Sequence, residues 1–105
     1  MMQPLVIMMT RKNLAESFQM SLRTVDARLK EIEEQMKSGR YGRHSIVRDV
    51  GYVACNPLVF ADYLTYRQQL RSSSPSIRKA VPEYDAFQTR KEFNLQTSLD
   101  LDKVI

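Results

Sequence analysis

The chain has 105 residues and a formal net charge of +4, and 43% of its residues are hydrophobic. A chain of this length forms one small domain, and no stretch approaches the roughly 20 apolar residues that a membrane-spanning helix needs. We therefore expect a soluble cytoplasmic protein with no membrane partner. One cysteine and one histidine exclude an internal disulfide and leave too few thiolate or imidazole ligands for a metal site.

The charge is unevenly distributed along the chain. Residues 10–48 contain nine Lys and Arg against five acids, whereas residues 49–71 and 72–105 are each balanced. A local basic excess in a small domain favours a polyanionic partner, because neutralising phosphates releases counterions. A solvated face that only keeps the protein soluble would have the same composition. The order of residues in the segment therefore has to distinguish a polyanion-binding face from a merely solvated one.

The beginning of the chain predicts a strand followed by a short helix. Residues 4–9 include the β-branched Val6 and Ile7 and predict a strand. They lack the basic start of a signal peptide. Thr10 is a candidate N-cap for a first helix over Arg11–Phe18.

A longer second helix is predicted from the cap residue Ser21 to Ser38-Gly39, where glycine can take the left-handed C-cap conformation. Its apolar residues recur at alternating spacings of three and four, which places them on one continuous stripe. They are Leu22, Val25, Leu29, Ile32 and Met36. The opposite face carries Arg23, Ala27, Lys30, Glu34 and Lys37.

The segment after this helix predicts a basic loop, a hairpin and a third helix. Residues 40–44 form the loop, and two short strands follow, around Ile46-Val47 and over 52–55, joined by a turn that contains glycine. Asn56-Pro57 is a typical helix start, with Asn as the cap and Pro in the first turn. This helix is predicted to end near Gln69.

The last third of the chain differs in composition. Residues 72–76 are rich in serine and predict a linker. The tail over 72–105 is predicted to be flexible or to dock on a partner. Its end, residues 93–101, alternates apolar and polar side chains, as a strand or an extended docking segment would, but disorder of the isolated tail is favoured.

These elements predict an α+β fold with the order β-α-α-β-β-α over residues 1–71, followed by the tail. A short helix, a tight turn at 19–21 and a second helix are the parts of a helix-turn-helix. Residues 14–29 resemble the helix-turn-helix signature of many prokaryotic regulators, with a small Ala15 where the helices cross and Val25 packing back on the first helix. Gln19 stands where that signature has glycine, so we expect the turn to be longer or tilted.

The helix-turn-helix, the basic hairpin and the run from Asn56 to Leu64 together resemble the winged-helix excisionases of phages and integrative elements, over residues 10–70. The resemblance implies a small architectural protein. Several copies would bind duplex DNA side by side, bend it and assist an integrase partner in excision. Many such proteins also repress a promoter.

The resemblance and the geometry of the motif assign roles to residues, because the start of the second helix enters the major groove. The predicted recognition residues are Ser21, Arg23, Thr24, Ala27 and Arg28. The predicted backbone or wing contacts are Arg11, Lys12, Lys30, Arg40, Arg43, His44 and Arg48. Asp26 is expected either to accept a hydrogen bond from cytosine or to pair with Lys30 four residues on.

Two alternatives remain open at this point. One is a phage or mobile-element transcriptional regulator on the same fold. The other is a protein–protein interaction module without DNA binding, in which the Leu22–Met36 stripe would be a dimer seam. We expect no enzyme and no cofactor, since the lone His44 and Cys55 do not make a catalytic dyad with its third partner and the three glycines are scattered.

Overall fold

The computed structural model of the protein describes residues 8–92, which form an α+β arrangement of helices and one small sheet. The elements in chain order are β1 (Met9–Thr10), α1 (Arg11–Ser17), α2 (Leu22–Ser38), β2 (Ile46–Asp49), β3 (Tyr52–Cys55), α3 (Pro57–Leu70) and α4 (Pro75–Ala80). Residues 86–92 are also helical. The predicted order β-α-α-β-β-α is confirmed. Most of the strand predicted over 4–9, and all of the alternating segment 93–101, lie outside the described residues.

The connection between α1 and α2 occupies residues 18–21. Helix α1 starts at the N-cap Thr10, whose side chain accepts a hydrogen bond from the Asn13 N–H at 3.3 Å. After α1, Gln19 adopts a left-handed conformation with φ 54, and the Met20 N–H donates to the Ala15 carbonyl at 3.0 Å. Gln19 therefore takes the conformation that glycine favours, and the connection begins one residue before the predicted turn at 19–21.

The core of the first part of the chain is built on the apolar stripe of α2. Val25, Leu29 and Ile32 are buried, and so is Leu14 of α1. Each such side chain contributes about 1.5–3 kcal/mol on burial. The stripe frays at its start, where Leu22 is 45% exposed.

The sheet has the order β1-β3-β2, and both pairings are antiparallel. Asp49 pairs with Tyr52, so the hairpin between β2 and β3 turns in two residues. The second of these, Gly51, has φ 68, which only glycine adopts at low cost. The Asn56 N–H donates to the Ser45 carbonyl at 2.8 Å and continues the ladder beyond the strands.

Helix α3 begins as predicted, because the Asn56 side chain accepts a hydrogen bond from the Leu58 N–H at 2.9 Å. The described chain divides into two compact units, residues 8–60 and 61–92, and α3 passes from one to the other. The predicted boundary between a domain over 1–71 and a tail over 72–105 stays a prediction.

The tail was predicted to be flexible or to dock on a partner, and two parts of it are helical, residues 75–80 and 86–92. Helix α4 starts at Pro75, inside the serine-rich segment, because proline in a first turn loses no hydrogen bond. The helical residues 86–92 start from Asp85, whose carboxylate accepts the N–H groups of Phe87 and Gln88 at 3.0 and 3.2 Å. None of the helices in residues 8–92 is long and apolar enough to cross a membrane.

Candidate nucleic-acid interface

One face of α2 is exposed along its length and carries three cations and one acid. We call this the α2 face. Its residues are Arg23, Ala27, Lys30, Glu34 and Lys37, all exposed. The spacings of four, three, four and three residues keep them on one side of a helix. Within residues 8–92 the three cations make no hydrogen bond or ion pair, so they are available to a ligand.

The first turn of α2 is fixed by a cap that uses two of the predicted recognition residues. The Ser21 hydroxyl accepts the Thr24 N–H at 3.1 Å and donates to Thr24 Oγ1 at 3.0 Å. These hydroxyls therefore position the helix start. The structure places Arg23 and Ala27 on the α2 face beside this cap.

Arg28, the fifth predicted recognition residue, lies on the flank of α2. Its Nη1 donates to Glu31 Oε2 at 3.0 Å, and its side chain is only 22% exposed. A half-buried guanidinium that already has a carboxylate partner is less available to a base pair than Arg23 is. The sequence pattern predicts the same role for both arginines, but within residues 8–92 Arg23 is exposed and unpaired whereas Arg28 is half-buried and paired.

Asp26 has a partner that neither sequence expectation named. Arg11 of α1 holds its carboxylate through two hydrogen bonds, from Nε at 2.5 Å and from Nη2 at 2.7 Å. The hydrogen bonds from Arg11 lower the pKa of Asp26, and Asp26 in turn raises the pKa of Arg11. The expected pairing of Asp26 with Lys30 is replaced by this contact between α1 and α2.

A second ion pair joins α2 to the hairpin, between Arg48 of β2 and Glu33. Asp26 and Glu33 are seven residues apart, which is two helical turns, so both lie on the same side of α2. This side of the helix holds α1 through Arg11 and the hairpin through Arg48. These two arginines, predicted to contact the DNA backbone, are therefore paired with acids of the chain itself.

The basic loop after α2 divides into an inner and an outer part. Tyr41 is buried, and the Arg40 guanidinium lies 5.4 Å from the centre of its ring. Arg43 and His44 are both exposed, and Arg43 Nε donates to His44 Nε2 at 3.3 Å. Lys12 on α1 is exposed as well and has no polar partner among the described residues.

An exposed valine stands at the tip of the hairpin beside the exposed Asp49, a feature that the sequence prediction of a basic wing missed. Val50 is 98% exposed, and Tyr52 and Val47 on the strands are 46% and 43% exposed. The Asp49 carboxylate accepts the Val50 N–H at 2.7 Å. The signal was present in the sequence, because valine stands in the turn where a polar residue is usual.

The remaining chemistry-bearing groups are structural. Cys55 is buried, and burial raises its pKa to about 12, so it stays a protonated thiol packed in the core. Across residues 8–92, no group of three or more His, Cys, Asp or Glu is placed to hold a metal ion.

Comparisons with protein families, with curated proteins and with solved structures found no match.

Proposed function

We propose that this protein binds duplex DNA in a sequence-specific manner, as a winged helix-turn-helix whose recognition helix is α2. The observation that carries the proposal is the α2 face. It presents three unpaired cations on the helix that follows a left-handed turn at Gln19. A helix presented in this way fits the major groove, which is about 12 Å wide.

The roles within the α2 face follow from the distance to the start of the helix. Arg23 and Ala27 lie in its first two turns, the part that reaches base edges in this motif. An arginine there can bind guanine through two hydrogen bonds, and an alanine methyl can contact the methyl group of thymine. Lys30 and Lys37 follow at intervals of seven residues, roughly 10.5 Å along the helix, and bind phosphates.

The kind of DNA-binding protein that we propose is an excisionase that assists an integrase. The resemblance over residues 10–70 supports it, as does the small size of the domain. The interaction module without DNA binding is disfavoured by the packing of α2. The middle of its stripe, Val25, Leu29 and Ile32, is buried within the chain itself and has no surface to give to a dimer seam.

The DNA-binding proposal is tested by titrating a fluorescent duplex of random sequence with the protein at several salt concentrations. Binding should weaken steeply with salt, with a slope of log K against log salt of about −0.9 per neutralised phosphate. Arg23→Ala and Lys37→Ala should each reduce this slope by about 1 at most. Absence of binding at low salt would reject the proposal.

The excisionase proposal needs a second experiment, a footprint on the attachment site of a neighbouring integrase gene. Tandem protection and bending of that site, with more excision by the integrase when the protein is added, are the expected results. Protection of a single palindromic operator without any effect on excision would favour the transcriptional regulator instead.

A further inference from the structure

We propose that Val50, at the tip of the β2–β3 hairpin, is an apolar wedge that enters the minor groove and inserts between two stacked base pairs. The inference rests on the proposed function, since it requires a duplex bound by α2. It adds a second contact of a different kind, which distorts the DNA where α2 reads it.

The exposure of Val50 points to a contact at the tip of the hairpin. Val50 is the most exposed of the large apolar residues in the described chain, at 98%. Val47, Asp49 and Tyr52 share one face of the hairpin, because Asp49 pairs with Tyr52 and residues two apart in a strand share a face. Exposed apolar residues on strands are ordinary, but a fully exposed valine in a two-residue turn, where a polar residue is usual, points to a contact.

The two charged residues before the tip each have a partner within the chain. The Asp49 carboxylate is exposed and accepts the N–H of Val50. Arg48 lies on the opposite face of the strand and binds Glu33 of α2. The Arg48–Glu33 pair thus links the hairpin to the helix that carries the α2 face, and Val50 is the apolar side chain that the tip presents beside Asp49.

Duplex DNA fits this tip better than a protein does. The hairpin turns in two residues, and a single valine at its end is small enough for a minor groove about 6 Å wide. Arg43, before the hairpin, is an exposed cation that can bind a flanking phosphate, and the neighbouring His44 is exposed as well. Three apolar side chains are far too small a surface for a stable protein interface, which needs about 800 Å² on each partner.

An inserted side chain of this kind unstacks one base step and kinks the duplex. Pyrimidine–purine steps unstack most easily, so the wedge favours a site with such a step under the hairpin. The protein would thus select sequence at a position where it makes no hydrogen bond to a base.

The test uses the full chain and a duplex selected from a random pool, labelled at both ends for energy transfer. In a parallel series, 2-aminopurine, which brightens when unstacked, replaces each adenine in turn. Wild-type protein should brighten one position and bend the duplex by roughly 20–90°. Val50→Ser should lose both signals, with affinity reduced by no more than about tenfold because α2 still binds.

Val47→Ser is the matched control, because it removes an exposed valine from the strand and leaves the tip intact; it should keep both signals. Circular dichroism establishes that both variants are folded.

Equal bending by wild type and Val50→Ser would overturn the wedge. So would an unchanged 2-aminopurine signal together with weaker self-association of Val50→Ser in sedimentation, which would make the tip a contact for a second copy. Wild-type protein that binds no duplex at low salt fails the proposed function itself, whereas binding without brightening fails the wedge alone.

Discussion

At the scale of single residues, Gln19 is the one described non-glycine residue with a positive φ, at 54. A left-handed backbone costs a residue with a side chain roughly 1–2 kcal/mol relative to glycine. The conformation is imposed by its neighbours, since the Phe18 N–H donates to Leu14 and the Met20 N–H to Ala15. These two hydrogen bonds, one on each side of Gln19, hold the chain in this conformation as it enters α2.

This strain predicts that Gln19→Gly stabilises the protein. The gain should be about 1 kcal/mol, after the greater freedom of glycine in the unfolded chain is subtracted. Urea unfolding measures it as a higher midpoint at an unchanged slope. Gln19→Ala serves as the control and should bring no such gain, because alanine keeps the Cβ that causes the strain. A midpoint that falls on changing to glycine would contradict this interpretation of the turn.

The capping residues show which features of the fold were predictable from sequence. Ser21, Gly39 and Asn56 were all predicted as caps, and all three occupy cap positions. Each cap contacts backbone within a few residues, so its signal is local. Two ion pairs, Arg11–Asp26 and Arg48–Glu33, each join residues 15 apart in sequence. The spacing of residues within one helix does not predict pairs of this kind.

At the scale of elements, α2 is the helix on which its unit is assembled. Its apolar stripe packs inward, and its α2 face is left to solvent. Between the two, Asp26 and Glu33 hold α1 and the hairpin through their arginines. The same helix therefore carries the proposed reading face and fixes the elements on either side of it.

The Arg11–Asp26 pair predicts a specific dependence of stability on pH. Because the folded pKa of Asp26 is lower than its ordinary value of 3.8, the unfolded chain binds its proton first as the pH falls. The contribution is therefore complete above pH 3.8 and is lost as the pH drops from there through the folded pKa. Asp26→Asn should make the stability decline less steeply in that acid range.

Urea midpoints measured from neutral pH into acid give this dependence. Arg11→Gln should flatten the curve as Asp26→Asn does, since it removes the other half of the pair. The double variant should add nothing to either single change. Because both groups are largely solvated, the effect is small. Additive effects of the two substitutions would show that Asp26 is held by another group.

The largest failure of sequence reasoning at this scale is the tail. Serine-rich composition predicted a linker over 72–76, yet α4 begins at Pro75. Composition describes average preferences, whereas the start of a short helix depends on one proline and one following turn. For the hairpin, the basic residues in the sequence predicted a charged wing, whereas the most exposed apolar side chain at its tip is Val50.

At the scale of the whole molecule, the basic excess lies in residues 10–48 and the tail over 72–105 is balanced. We therefore predict that the chain shortened to residues 1–71 binds random duplex with nearly the same affinity and salt slope as the full chain. Fluorescence anisotropy at several salt concentrations measures both. Circular dichroism of the shortened chain establishes that it folds. A folded but much weaker binder would place part of the phosphate contact in the tail.

The central claim is that the start of the α2 face reads base pairs while its end binds phosphates. The most direct test compares wild type, Arg23→Ala and Lys37→Ala on a selected duplex and on derivatives with one base pair changed. Arg23→Ala should lose discrimination at one or two positions, worth about 1–3 kcal/mol each, whereas Lys37→Ala should weaken all duplexes equally. Uniform weakening by both variants, or no discrimination by the wild type, would contradict it.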